Sequence, residues 1–179
     1  SGPAHASNPT GTGDAVSDYV DFQPWLTTCG GSAASWMNMR TGEINDLQPL
    51  LNGALPGDEI RFIGTGPVPG GATASQNGLT INLNGGTFGP GSPFLTVDAD
   101  NVTVLGPGTL VGNGVDPAIL VQAGADNFTM QDVEVREWAD GVQIAGPVVS
   151  FKLVNNFIHD NVDAGLQVET ASTLDEALP

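Results

Sequence analysis

The chain repeats itself. Align LTINLNGGTF (79–88), VTVLGPGTL (102–110), FTMQDVEV (128–135) and FKLVNNFI (151–158): their first residues, Leu79, Val102, Phe128 and Phe151, stand 23, 26 and 23 positions apart. A second set of apolar pairs, Leu95/Val97, Ile119/Val121, Val142/Ile144 and Leu166/Val168, advances by 24, 23 and 24. Two apolar columns that keep step at one period describe coils wound about a common axis. Apolar and polar residues alternate within each segment, so every strand needs a neighbouring coil to cover its apolar face. The unequal steps fall in turns, where a solenoid accepts insertions. The expected core is therefore Val102, Val104, Phe128, Met130, Phe151 and Leu153, with Ile119, Val121, Val142, Ile144, Leu166 and Val168 from the other column.

The residues before the repeat read differently. Residues 1–16 (SGPAHASNPTGTGDAV) are small, polar and rich in Gly and Pro, DYVDFQPWL (18–26) is an aromatic cluster suited to docking, and 27–42 has no period. Residues 1–43 are thus assigned as a flexible lead-in and N-terminal extension. Between Ile44 and Leu55, Leu47, Leu50, Leu51 and Leu55 recur at helical spacing, with Asn45 or Asp46 as cap and Pro56-Gly57 as the stop. A strand from Glu59 to Ile63 follows. The repeating body is assigned to 44–170 and a C-terminal tail to 171–179.

Phe151, Leu153, Asn155, Asn156 and Ile158 reproduce a V-x-I-x-N-N-x-I form that resembles the repeats of the pectate-lyase-like superfamily. The short helix before Pro56-Gly57-Asp58-Glu59-Ile60 resembles the amphipathic cap at the N-terminal end of such proteins. The resemblance spans roughly residues 44–170. It implies an all-β fold, a right-handed parallel β-helix (solenoid) with a short N-terminal capping α-helix. It implies little about activity, because unrelated functions share this scaffold. Hydrolases of the superfamily carry N-T-D, D-D, G-H-G and R-I-K motifs, none of which occurs here; its lyases need a calcium cluster with an Arg or Lys base. The expected function is a non-catalytic β-helical module of a secreted or cell-surface protein, serving as spacer, adhesin or glycan-contacting segment. The alternative is a polysaccharide lyase or glycoside hydrolase acting on acidic polysaccharide.

Charge narrows the partners. Four Lys and Arg against twenty Asp and Glu leave a formal charge of −16, which repels phosphate backbones and makes nucleic acid a poor partner. The same charge attracts hard cations, Ca2+ above all in an extracellular setting. Cys29 is the single cysteine, so there is no intrachain disulfide and no thiolate cage. No run approaches the ~18 apolar residues of a membrane span.

One acidic stretch stands out. Setting Val135 on Ile158 places Arg136 on His159, Glu137 on Asp160, Trp138 on Asn161 and Asp140 on Asp163. Coils ~4.8 Å apart would stack these as two carboxylate pairs beside an Arg, a His and a Trp. Such pairs share a cation, share a proton or point apart. Glu137, Asp140, Asp160 and Asp163 are accordingly candidate Ca2+ ligands, and Arg136, Trp138 and His159 candidate ligand-binding residues; the plain alternative is a solvated acidic turn. Asn155, aligned with Asp132 and Gly106, is the expected hydrogen-bonding asparagine of a stacked turn. Asn101-Val-Thr103 and Asn127-Phe-Thr129 are one repeat position (DNxT), and GPGTLVGNG (106–114) reads as a turn. The last coil leaves open strand edges, so the chain is expected to self-associate through residues ~150–179 or to fold its tail across them.

Overall fold

The computed structural model describes residues 36–65 and 67–169, and the backbone of 174–178. The lead-in 1–16, the aromatic cluster 18–26 and Cys29 lie outside the described residues. In chain order the elements are β1 (Trp36–Asn38), β2 (Ile44–Asn45), α1 (Leu47–Gly53), β3 (Glu59–Phe62), β4 (Ala72–Ala74), β5 (Thr80–Asn82), β6 (Thr87–Phe88) and β7 (Leu95–Val97). There follow β8 (Thr103–Val111), β9 (Ile119–Val121), β10 (Phe128–Arg136), β11 (Asp140–Ile144), β12 (Phe151–Val154), β13 (Phe157–His159), β14 (Ala164–Val168) and β15 (Leu174–Leu178).

The strands stack into an all-β solenoid of about five turns with one short helix near its N-terminal end. One sheet runs β3-β5-β8-β10-β12-β15 with parallel pairing, β6 adding to β8 and β13 to β10. The other runs β4-β7-β9-β11-β14, also parallel. The sequence columns set the register: Thr80, Thr103, Thr129 and Lys152 lie side by side, as do Leu95, Ile119, Val142 and Leu166. Ten of the twelve expected core residues are buried. Leu166 is only partly covered and Val168 is exposed, because β14 is an outer strand of its sheet. GPGTLVGNG is also not simply a turn: residues 106–111 belong to β8, whose partner β10 shifts register between Gln131 and Val133.

The corners explain the repeated polar residues. Asn101, Asn127 and Ser150 hold φ of 58°, 58° and 66°, a left-handed backbone that short polar side chains tolerate. At the first two corners the preceding acid ties the coils together, Asp100 Oδ1 accepting from Asp126 N–H at 2.9 Å and Asp126 Oδ1 from Val149 N–H at 2.6 Å. DNxT is thus a coil-to-coil cap.

The N-terminal end is closed. β1 pairs antiparallel with β3 and with β2, so the sheet begins before residue 44, and Trp36 is fully buried. The helix α1 is shorter than the leucine spacing suggests, burying Leu47, Leu50 and Leu51 but leaving Leu55 exposed, and Asp46 makes no side-chain cap. Gln48 docks it: the side-chain amide accepts from Thr73 N–H at 2.6 Å and donates to Thr73 C=O at 3.1 Å, standing in for a strand on the edge of β4. Asp58, buried beneath, accepts from Arg40 Nε at 2.5 Å and Asn38 Nδ2 at 2.9 Å, and the Arg40 bond above all holds its carboxyl well below the usual carboxylate range.

Candidate functional site

The alternation that sends Val135 and Ile158 towards the axis sends their neighbours outward. Where β8, β10 and β13 run side by side, Thr109, Glu134 and Phe157 form one outward row and Val111, Arg136 and His159 the next. Thr87 on β6 extends the first row by a coil, beside a shallow groove of about 550 Å³ lined by residues that include Asn84, Gly85 and Thr87.

Arg136 and His159 come together as the alignment proposed, Cα opposite Cα. Glu134 links them: its Oε1 lies 3.4 Å from Arg136 Nε and 3.3 Å from His159 Nε2, while Oε2 accepts from Thr109 Oγ1 at 3.2 Å. His159 Nδ1 lies 2.8 Å from Asp160 Oδ2. That bond is the main cause raising the imidazole pKa, with Glu134 adding to it and burial opposing. Arg136 Nη1 also pairs with Glu137. Beside this network the Phe157 ring stacks on His159, centroids 4.0 Å apart and planes at 26°, and Phe157 is 64% exposed. Glu134 and Phe157 were not singled out from sequence. The signal for Phe157 was an aromatic residue at an outward position, one before the inward Ile158.

Trp138 does not belong to this face. It is fully buried, with Gly112 packed so closely that a Cβ there would lie 2.6 Å from the indole. No ring face is left for a ligand. Its backbone N–H donates to Asn161 Oδ1 at 3.0 Å, so Asn161 clamps one coil to the next.

The four candidate metal ligands disperse. Glu137 and Asp160 do stack, at corners with φ of 63° and 52°, but their carboxylates turn to Arg136 and His159. Asp140 pairs with Ala164 rather than Asp163, because the last coil carries one more residue between its strands. Asp140 is 7% exposed and its Oδ1 has no hydrogen-bond partner. Burial, then the charge of Asp163, raises its pKa, while the Ala164 N–H works the other way. Among the described residues no three acidic, imidazole or thiol groups gather into a cluster able to hold a metal ion.

Asn155 is likewise displaced by its neighbour. Asn155 is an exposed corner residue at φ 52°, whereas Asn156 Oδ1 accepts from Val133 N–H at 3.0 Å and its Nδ2 donates to Met130 C=O at 2.8 Å.

Comparison of the chain with protein-family models, curated proteins and solved structures found no match in any of the three.

Proposed function

We propose that this chain is a non-catalytic β-helical module of a secreted or cell-surface protein, of the right-handed, pectate-lyase-like kind, that contacts glycan through the outward face of β8, β10 and β13. The observation that carries this reading is the exposed Phe157 ring, backed by His159 and set beside hydrogen-bonding side chains on a rigid sheet. An aromatic ring with one open face is a platform for the C–H face of a sugar, and neighbouring polar groups meet its hydroxyls. Cleavage would call on an acid or base free to work on substrate. Here Glu134, Arg136, Glu137, His159 and Asp160 are engaged with one another. The scaffold supports the spacer role too, since each coil rests on its neighbours and the rod lengthens by repetition.

The test is retention on insoluble polysaccharides together with an assay for chain cleavage, with and without calcium. Retention without new reducing ends or unsaturated products is expected. Release of either product from a uronate chain would overturn the non-catalytic reading in favour of a lyase or hydrolase.

A further inference from the structure

We propose that the glycan taken by the Phe157 face is uncharged rather than a uronate; this rests on the glycan-contact reading above. A uronate chain presents one carboxylate per residue and is held by cations free to meet it. Within this face both cationic side chains are already engaged, Arg136 by Glu134 and Glu137, His159 by Asp160 and Glu134. Three carboxylates therefore surround two cationic groups even when His159 is protonated, on a chain whose formal charge is already −16. An incoming carboxylate meets a negative field and must break an existing ion pair to find a donor.

A neutral chain meets no such obstacle. Carboxylate oxygens of Glu137 and Asp160, 52% and 79% exposed at the side chain, are acceptors for sugar hydroxyls. Thr87 and Thr109 continue the row away from Phe157, so the outward column Thr87–Thr109–Glu134–Phe157 spans three coil steps, ~14 Å along the axis. A flat, β-linked neutral chain lying along that column would stack one ring on Phe157 and place hydroxyls on the threonines.

Titration of the whole chain with cello-oligosaccharide, xylo-oligosaccharide and oligogalacturonate of matched length, followed by calorimetry and by the aromatic NMR signals of Phe157 and His159, tests this. A neutral oligosaccharide should bind and shift those signals, with little dependence on salt, and Phe157→Ala should weaken it at least ~10-fold, about 1.4 kcal/mol. Because Phe157 is exposed, the variant should melt with the parent, which checks that the loss is not unfolding. Oligogalacturonate binding more tightly than both neutral chains would overturn the uncharged class while leaving glycan contact standing. Binding by none of the three would remove glycan contact itself, and neutral binding indifferent to Phe157→Ala would overturn the location.

Discussion

Replacing Asn156 by alanine isolates what holds one coil to the next. The side chain satisfies two backbone groups of the preceding coil, Val133 N–H and Met130 C=O, on either side of the register shift in β10. Strand pairing is interrupted there, so the ladder supplies no substitute partner. Each neutral hydrogen bond contributes about 1 kcal/mol net, and a buried backbone group left without a partner costs ~1–3 kcal/mol. Both bonds are partly buried, so water can reach part of the gap and the lower half of that range applies. Asn156→Ala should therefore cost ~2–4 kcal/mol in urea unfolding, with the m-value unchanged, and should speed amide exchange at Val133. Asn155→Ala is the control: the residue is exposed, and its left-handed φ of 52° limits the cost to ~1–2 kcal/mol of backbone strain. Asn155→Gly, which removes that strain, should be close to neutral. A loss below ~0.5 kcal/mol for Asn156→Ala, or one smaller than for Asn155→Ala, would refute the clamp.

Phe128 is fully buried between its column neighbours, so Phe128→Ala should cost ~3–5 kcal/mol in the same assay, and less than ~1 kcal/mol would mean that the register is wrong. The raised pKa of Asp140 means that its protonated form favours the fold: the contribution is in full below the ordinary aspartate value of ~3.9 and is lost as pH rises through the raised one. Asp140→Asn should thus raise the melting temperature at pH 7, flatten its dependence on pH above ~4, and change little at pH 3; equal destabilisation at both pH values would contradict this. Because Glu137 and Asp160 are already paired with Arg136 and His159, millimolar calcium should shift the melting temperature no more than sodium chloride of equal ionic strength, and a larger calcium shift abolished by Asp160→Asn with Asp163→Asn would show a site after all. Neutralising Asp160, Asp163 and Glu169 together should promote association in sedimentation at low salt, whereas a sedimentation coefficient equal to the parent's would show that these charges do not guard the edge.

What the sequence disclosed was what the axis requires. Inward positions must be apolar in every coil, so Leu79, Val102, Phe128 and Phe151 advertise themselves by type and spacing. In the first coil β3 is legible but β4 is not, because its inward pair is Ala72 and Ala74, small enough to pass for turn residues. Corners were harder to read, since their length varies: one additional residue before β14 moved Asp163 off Asp140, and one position separated the exposed Asn155 from the bonding Asn156. Outward positions are held less strictly: Thr recurs at 80, 103 and 129, but other columns do not repeat. The row that starts with Thr87 and Thr109 changes to Glu134 and then to Phe157, so column analysis passes over the residues in which ligand contact is proposed.

The acidic string at the last coil has an account that needs no metal. At the N-terminal end the sheet edges are occupied, β3 by the antiparallel β1 and β4 by the amide of Gln48. At the other end β15, drawn from the tail, lies along β12, which fulfils for one strand the expectation that the tail folds across the edge. Among the described residues no strand covers the outer edges of β13 and β14. Such edges, with Phe157, Val162 and Val168 exposed around them, are templates for pairing with another chain. Charge is the usual defence, and Asp160, Asp163 and Glu169 are all exposed at these strands. A second copy brought edge to edge would bring the same three carboxylates with it, at ranges inside the Debye length of ~8–10 Å where salt screens them least. His159 and Gln143 hold two of the three, Asp160 and Glu169, in place from within their own chain. Two of the four candidate ligands, Asp160 and Asp163, thus stand with Glu169 where they would repel a second copy, which is what the triple neutralisation tests.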